Sequence, residues 1–166
     1  MHPFFASESF NLSSGRTLTR AELFALVSIL NSFVLDFCLR QRVSANINMF
    51  YAYQLPIPRL TDRDAAFFPI VERAARLVCT TPEYAELWNS VGATGRSPLP
   101  WSPAVAATDP VERARLRAEL DGLIAHLYGL TEEEFAYVLT TFPLVPEPVK
   151  VAAQNAYRDV ERGIIP

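Results

Sequence analysis

Apolar residues recur at three- and four-residue steps through Leu23, Leu26, Val27, Leu30, Phe33, Val34 and Phe37, a spacing that puts side chains on one face of an α-helix. Thr19-Arg20-Ala21-Glu22 stands just ahead with the residue types of a capping box. Leu18 and Leu23 flank it where a hydrophobic staple would sit. The pattern predicts one long helix running to about Arg42. Residues 1–16 show little periodicity and are rich in serine, so they read as an irregular lead-in or a lone strand.

From Asn46 the period changes to two. Ile47, Met49, Tyr51, Tyr53 and Leu55 fall on one face and Asn46, Asn48, Phe50, Ala52 and Gln54 on the other, which predicts a short strand stopped by Pro56 and Pro58. Beyond it, Phe67, Ile70, Val71, Ala74, Leu77 and Val78 make a helical stripe with Thr61 or Asp62 as the expected cap. Pro69 removes a hydrogen bond from any helix that starts too early, so the regular part is expected to begin near Phe67. Thr81-Pro82-Glu83 opens a further helix, with Tyr84, Leu87, Trp88 and Val91 on one side and Gly92 as its stop. From Gly92 to Thr108 a proline-rich loop follows, either packed by Leu99 and Trp101 or a flexible joint.

Asp109-Pro110-Val111-Glu112 has the form of another capping box and leads into Leu116, Leu120, Leu123, Ile124 and Leu127, with Gly129 at the stop. Thr131 with Glu134 caps a helix that buries Phe135, Val138, Leu139 and Phe142 and ends at Pro143. Pro146-Glu147-Pro148 starts the last helix, carrying Val151, Ala152, Ala156, Tyr157 and Val160. The expected fold class is therefore mainly α: a helical module of about six helices with a short β element near residues 46–57. Residues 1–60, a long helix plus a strand, form one segment and residues 61–166 a helical C-terminal module.

Composition narrows the function. With 166 residues, 50% of them hydrophobic, the chain can bury a core of its own. A net charge of -3 excludes a free-standing module that holds DNA mainly by neutralising phosphates. Any contact with nucleic acid must be local. Cys38 and Cys79 lie in amphipathic helical stretches as small buried hydrophobes, which points to a reducing, cytoplasmic compartment. Ser28, Asn31, Ser32 and Asp36 interrupt the most apolar stretch, so no membrane span is expected, and Met-His-Pro-Phe-Phe lacks the features of a signal peptide.

Catalytic chemistry finds no foothold. His2 and His126 have no metal-ligand spacing, and His126 is expected to bond the last carbonyls of its own helix. Glu132-Glu133-Glu134 suits the first turn of a helix better than a cation. No glycine-rich turn for a nucleotide or S-adenosylmethionine occurs, nor an Asn-Pro-Pro-Tyr motif, so no catalytic, cofactor or metal residue is assigned. The polar feature that remains is Arg40, Gln41, Arg42, Ser44, Asn46 and Asn48. Guanidinium and amide groups make bidentate contacts with guanine and adenine edges, and Arg and Ser hold phosphates. The alternative is that the arginines complement a helix C-terminus and the asparagines make a turn.

Two stretches carry a resemblance. Leu30-Asn31-Ser32-Phe33-Val34-Leu35-Asp36-Phe37, Leu39-Arg40, Asn46 to Tyr53 and Gln54-Leu55-Pro56-Ile57-Pro58 are similar to the helix, strand and exit of target recognition domains in DNA adenine methyltransferases and type I restriction specificity subunits. Leu120 to Phe135, followed by Leu139-Thr140-Thr141-Phe142-Pro143, resembles the C-terminal helical segment of large single-chain enzymes that join such a methyltransferase to restriction or phage defence. The resemblance implies a methyltransferase domain upstream in the parent enzyme, which binds S-adenosylmethionine and flips an adenine out of duplex DNA. Residues 1–60 would then end a target-recognition segment and residues 61–166 form its helical tail, with duplex DNA and that upstream domain as partners. The rival reading is a helical protein–protein interaction or structural module without DNA contact; an independent small enzyme suits the residues least. Whether Arg40, Arg42, Lys150, Arg158 and Arg162 share a face separates the first two.

Overall fold

The computed structural model describes residues 17–42, 49–92 and 100–166. The lead-in over 1–16, Ser44, Asn46, Asn48 and Leu99 lie outside the described residues. The elements are α1 (Arg20–Leu30), α2 (Phe33–Arg40), α3 (Met49–Ala52), α4 (Phe67–Val78), a 3₁₀ turn (Pro82–Tyr84), α5 (Ala85–Gly92), α6 (Pro110–Leu127), α7 (Glu132–Thr140) and α8 (Glu147–Glu161). The fold is mainly α. It has more helices than the six expected, because one expected helix is two and the expected strand is a helical turn.

The long first helix breaks after Leu30, and α1 and α2 meet at a bend of 58°. Polar side chains at the break explain it. Asn31 donates to the Val27 carbonyl (2.8 Å), while the Ser32 hydroxyl donates to the Ile29 carbonyl (2.8 Å) and accepts the Leu35 N–H (3.2 Å) as the cap of α2. These side chains offer the backbone an alternative to continuing the helix. The buried face is also displaced from the expected one: α1 buries Ala21, Phe24, Ala25, Ser28 and Ile29, leaving Leu23 and Val27 45% and 47% exposed.

Among the described residues there is no strand. Where one was expected, α3 continues as a turn closed by Gln54 N–H to the Tyr51 carbonyl (3.1 Å) and Leu55 N–H to the Ala52 carbonyl (3.2 Å). A strand needs a partner, and a short apolar run fits a helical turn equally well. Neither Thr61 nor Asp62 caps α4. Asp64 instead accepts from the Thr61 N–H (2.8 Å) and hydroxyl (2.9 Å), closing a separate turn, and α4 begins at Phe67 as the proline argument requires.

The C-terminal elements follow the sequence more closely. Thr19 and Thr131 form reciprocal capping boxes with Glu22 and Glu134, and Asp109 accepts the Glu112 N–H (2.9 Å) at the start of α6. On α8, however, the buried residues are Ala153, Ala156 and Tyr157, while Val151 and Ala152 face outward. α6 packs along α8 and against α4, and α4 in turn packs on α1. Gly122 permits the first of these contacts, since a Cβ there would lie 2.7 Å from the Tyr157 nitrogen and 2.8 Å from the Ala156 carbonyl carbon.

Ion pairs and caps fasten α4 to α6. Glu119 takes Arg73 (2.6 Å) and Arg115, and Arg76 pairs with Glu112. Arg113 donates to the carbonyls of Leu77 (3.0 Å) and Ala107 (2.8 Å), and the Trp101 indole N–H to that of Cys79 (2.9 Å). Open carbonyls at the end of α4 are thus satisfied by another helix and by a loop residue. Trp101 is half-buried against the core. No single helix among the described residues is long and apolar enough to cross a membrane, and α1 with α2 reaches that length only across the bend.

Candidate nucleic-acid interface

Arg40, Gln41 and Arg42 sit together and exposed at the C-terminal end of α2. Arg40 is already engaged. Its Nε and Nη2 grip Asp36 one turn earlier (3.0 and 2.8 Å), and its guanidinium lies 4.5 Å from the centre of the Phe142 ring. Gln41 caps α2 through its own N–H to the Phe37 carbonyl (3.2 Å), leaving its side chain exposed. Arg42 donates to the Cys38 carbonyl (3.0 Å), the helix-terminus role that was the alternative for this segment.

Of the five cations whose placement separates the readings, Arg40, Lys150 and Arg158 are paired with Asp36, Glu147 and Glu132. Those pairs cancel the field that a phosphate backbone would feel. Among the described residues Arg42, Arg59, Arg63, Arg117 and Arg162 are exposed and make no ion pair. Of the five cations named from the sequence, Arg42 and Arg162 thus keep a charge without an ion pair, as do Arg59, Arg63 and Arg117, which the sequence reading did not name.

The structure brings the two resembling stretches into contact. α2, from the first, packs on α6 and α7, from the second. Asp121, buried on α6, accepts the N–H of Phe33 at the first position of α2 (3.0 Å), and the Phe33 ring meets Phe142 edge-on at 4.9 Å. A helix start leaves N–H groups without partners inside the helix, and here one is supplied from another element. Burial pushes the Asp121 carboxyl up to about 7, against the Phe33 hydrogen bond, which favours the ionised form. The sequence reading passed over Asp121. Its signal was a carboxylate set between Leu120 and the buried pair Leu123 and Ile124.

Other titratable groups are structural. His126 stacks on Tyr157 (centroids 4.0 Å apart) and its Nε2 donates to the Tyr157 carbonyl (2.9 Å), so it ties α6 to α8 rather than bonding its own helix end. Glu134 accepts the Thr131 N–H (2.8 Å) and Glu132 holds Arg158, which accounts for two residues of the acidic run. Cys38 and Cys79 are free thiols, and burial pushes Cys79 up to about 11. The hydroxyl of Tyr128 is the one buried side-chain polar atom without a hydrogen-bond partner among the described residues. No group of His, Cys, Asp and Glu able to hold a metal ion occurs among them.

Among the described residues, a cleft of about 150 Å³ is lined mainly by Phe68, Pro69, Trp88, Val91 and Pro166, and another, of about 390 Å³, by Thr19, Glu22, Thr61, Asp62, Arg63 and Phe67. Comparisons with protein-family models, with curated proteins and with solved structures find no match for the chain.

Proposed function

We propose that this chain is the non-catalytic C-terminal recognition and scaffold part of a DNA adenine methyltransferase of the restriction or phage-defence type. The reading rests on the two resembling stretches. The observation that carries it furthest is the joint between them, where Asp121 caps α2 through Phe33 and Phe142 packs on the same helix. Two segments whose capping bond joins residues 88 positions apart in sequence thus act as one unit, as a support for a recognition element should. Methyl transfer belongs to the parent enzyme's upstream domain, which would bind S-adenosylmethionine, and duplex DNA is the shared partner.

The test is calorimetry of the 166-residue chain with S-adenosylmethionine, then with duplex DNA. No cofactor binding and weak DNA binding, in the nonspecific range of ~10⁻⁴ to 10⁻⁶ M, are expected. Saturable micromolar cofactor binding would contradict a non-catalytic role. The rival, a helical interaction or structural module without DNA contact, is favoured by one specific observation: Arg40 is held by Asp36 and Phe142, and Arg42 by a helix carbonyl.

A further inference from the structure

α3 and the turn that follows present two aromatic rings to solvent. Ala52 is buried and Leu55 and Ile57 pack on the core, while Phe50 and Tyr53 are 68% and 69% exposed and Gln54 is exposed beside them. Phe50, in α3, and Tyr53, in the turn that continues it, are three residues apart, a helical spacing that makes such side chains neighbours. The Phe50 ring is braced edge-on by Tyr51 at 5.6 Å. Large aromatic rings in a monomeric core normally turn inward, so a pair held outward on one turn points to a partner.

Charge identifies that partner's chemistry. From Phe37 to Thr61 the chain carries Arg40, Arg42 and Arg59 and not one carboxylate, although the whole chain is net negative. Asp36, just outside this stretch, is held by Arg40. Arg59 is exposed and makes no ion pair among the described residues, and the exposed Arg42 has only a carbonyl partner. Exposed aromatic rings in a carboxylate-free stretch of sequence that also carries exposed arginines suit the flat faces and phosphates of a nucleic acid, whereas a cationic peptide would find no carboxylate in that stretch. In closed duplex the base faces are covered. They become available where a duplex is opened, the condition that base flipping creates.

We propose that Phe50 and Tyr53 form a stacking platform for the exposed bases of locally unpaired DNA, with Arg42 and Arg59 on its phosphates. The proposal rests on the DNA reading above and names the chemistry of its contact. The experiment is fluorescence anisotropy of the full chain with one labelled oligonucleotide presented as a duplex, as a duplex with a central mismatched bubble and as a single strand. 2-Aminopurine in the bubble reports stacking. The bubble is expected to bind at least about fivefold tighter than the closed duplex, and Phe50→Ala with Tyr53→Ala to weaken bubble binding about tenfold or more and abolish the 2-aminopurine response.

The same double variant should leave closed-duplex binding within about twofold of the parent, while Phe50→Tyr with Tyr53→Phe keeps the bubble preference because every base offers a π-face to either ring. Circular dichroism checks that each variant keeps its helices. Bubble binding unchanged in a folded double alanine variant would overturn the stacking proposal. If Arg42→Ala with Arg59→Ala still lowered binding in that case, the DNA reading would stand without the platform. Binding to none of the three DNA forms above background would overturn both.

Discussion

The unit formed by α6, α7 and α8 and the segment from α1 to α3 are built on different terms. In the first, local signals and tertiary contacts agree: caps form at Asp109 and Thr131, Gly122 lets two helices touch, and Phe135, Leu116 and Ile124 vanish into the core. In the second, the helix bends at Asn31 and Ser32, Leu23 and Val27 remain partly exposed, and aromatic rings stand in solvent at Phe50 and Tyr53. Both regions leave large apolar side chains in solvent, Val111, Tyr137, Leu144 and Ile164 in the first and Leu23, Val27, Phe50 and Tyr53 in the second. The difference therefore lies in how the backbone is fixed: by caps of its own in the first, and in the second by a break whose following helix is capped from the first. The two meet at Asp121, where the support fixes the start of α2.

The sharpest way to break the support is at Gly122. Gly122→Ala places a methyl within 2.7 Å of backbone on α8, and because backbone cannot step aside the two helices must separate. A loss of about 2–3 kcal/mol is expected from denaturant midpoints, in the range of overpacked cores. A loss no larger than a surface substitution would show that α6 and α8 are not held this close.

The joint comes next. Asp121→Ala leaves the Phe33 N–H buried without its acceptor and is expected to cost about 1–3 kcal/mol, while Asp121→Asn keeps an acceptor and costs less. The pH dependence has a definite sign. Burial raises this carboxyl from 3.8 to about 7 in the folded chain, so the stabilisation tied to its protonated form is fully present below pH 4 and is lost as pH rises through 7. The stability of the parent relative to Asp121→Asn should therefore fall between pH 4 and 8. A difference that grows over that window would mean the carboxylate is favoured by its surroundings.

Two smaller effects separate the regions further. Ser32→Ala removes the cap of α2 and is expected to cost about 1 kcal/mol, read as a shift in midpoint, with α6 to α8 unaffected in hydrogen exchange. Tyr128→Phe removes a hydroxyl that has no partner and should be neutral or stabilising by up to about 1 kcal/mol. A destabilised phenylalanine variant would reveal a partner for that oxygen.

The same contrast governs what could be read from sequence. Capping boxes at Thr19 and Thr131 and the Phe135–Phe142 stripe are local, and each formed as its spacing requires. The bend after Leu30 was hidden because Phe33, Val34 and Phe37 continue the helical spacing across it, and the break shows in the bonds that the Asn31 and Ser32 side chains make to the backbone. α3 was misread because residues 49–55 are apolar on both faces, so periods of two and three fit alike. At the candidate interface, Arg40 to Arg42 could be named but their partners Asp36, Cys38 and Phe142 could not. Asp121 escaped notice because a carboxylate inside a helix reads as solvated until the helix start opposite it is seen.

The central claim is that the segment around the end of α2 touches DNA while the helical unit behind it supports that contact. Its most direct test is the salt dependence of duplex binding by the full chain and by Arg40→Ala with Arg42→Ala, each shown to be folded. The account predicts binding in the nonspecific range of ~10⁻⁴ to 10⁻⁶ M that weakens with salt, with a slope shallower by about one phosphate contact in the variant. Equal affinity and equal slope in both proteins would contradict it and leave a structural or protein-interaction module in its place.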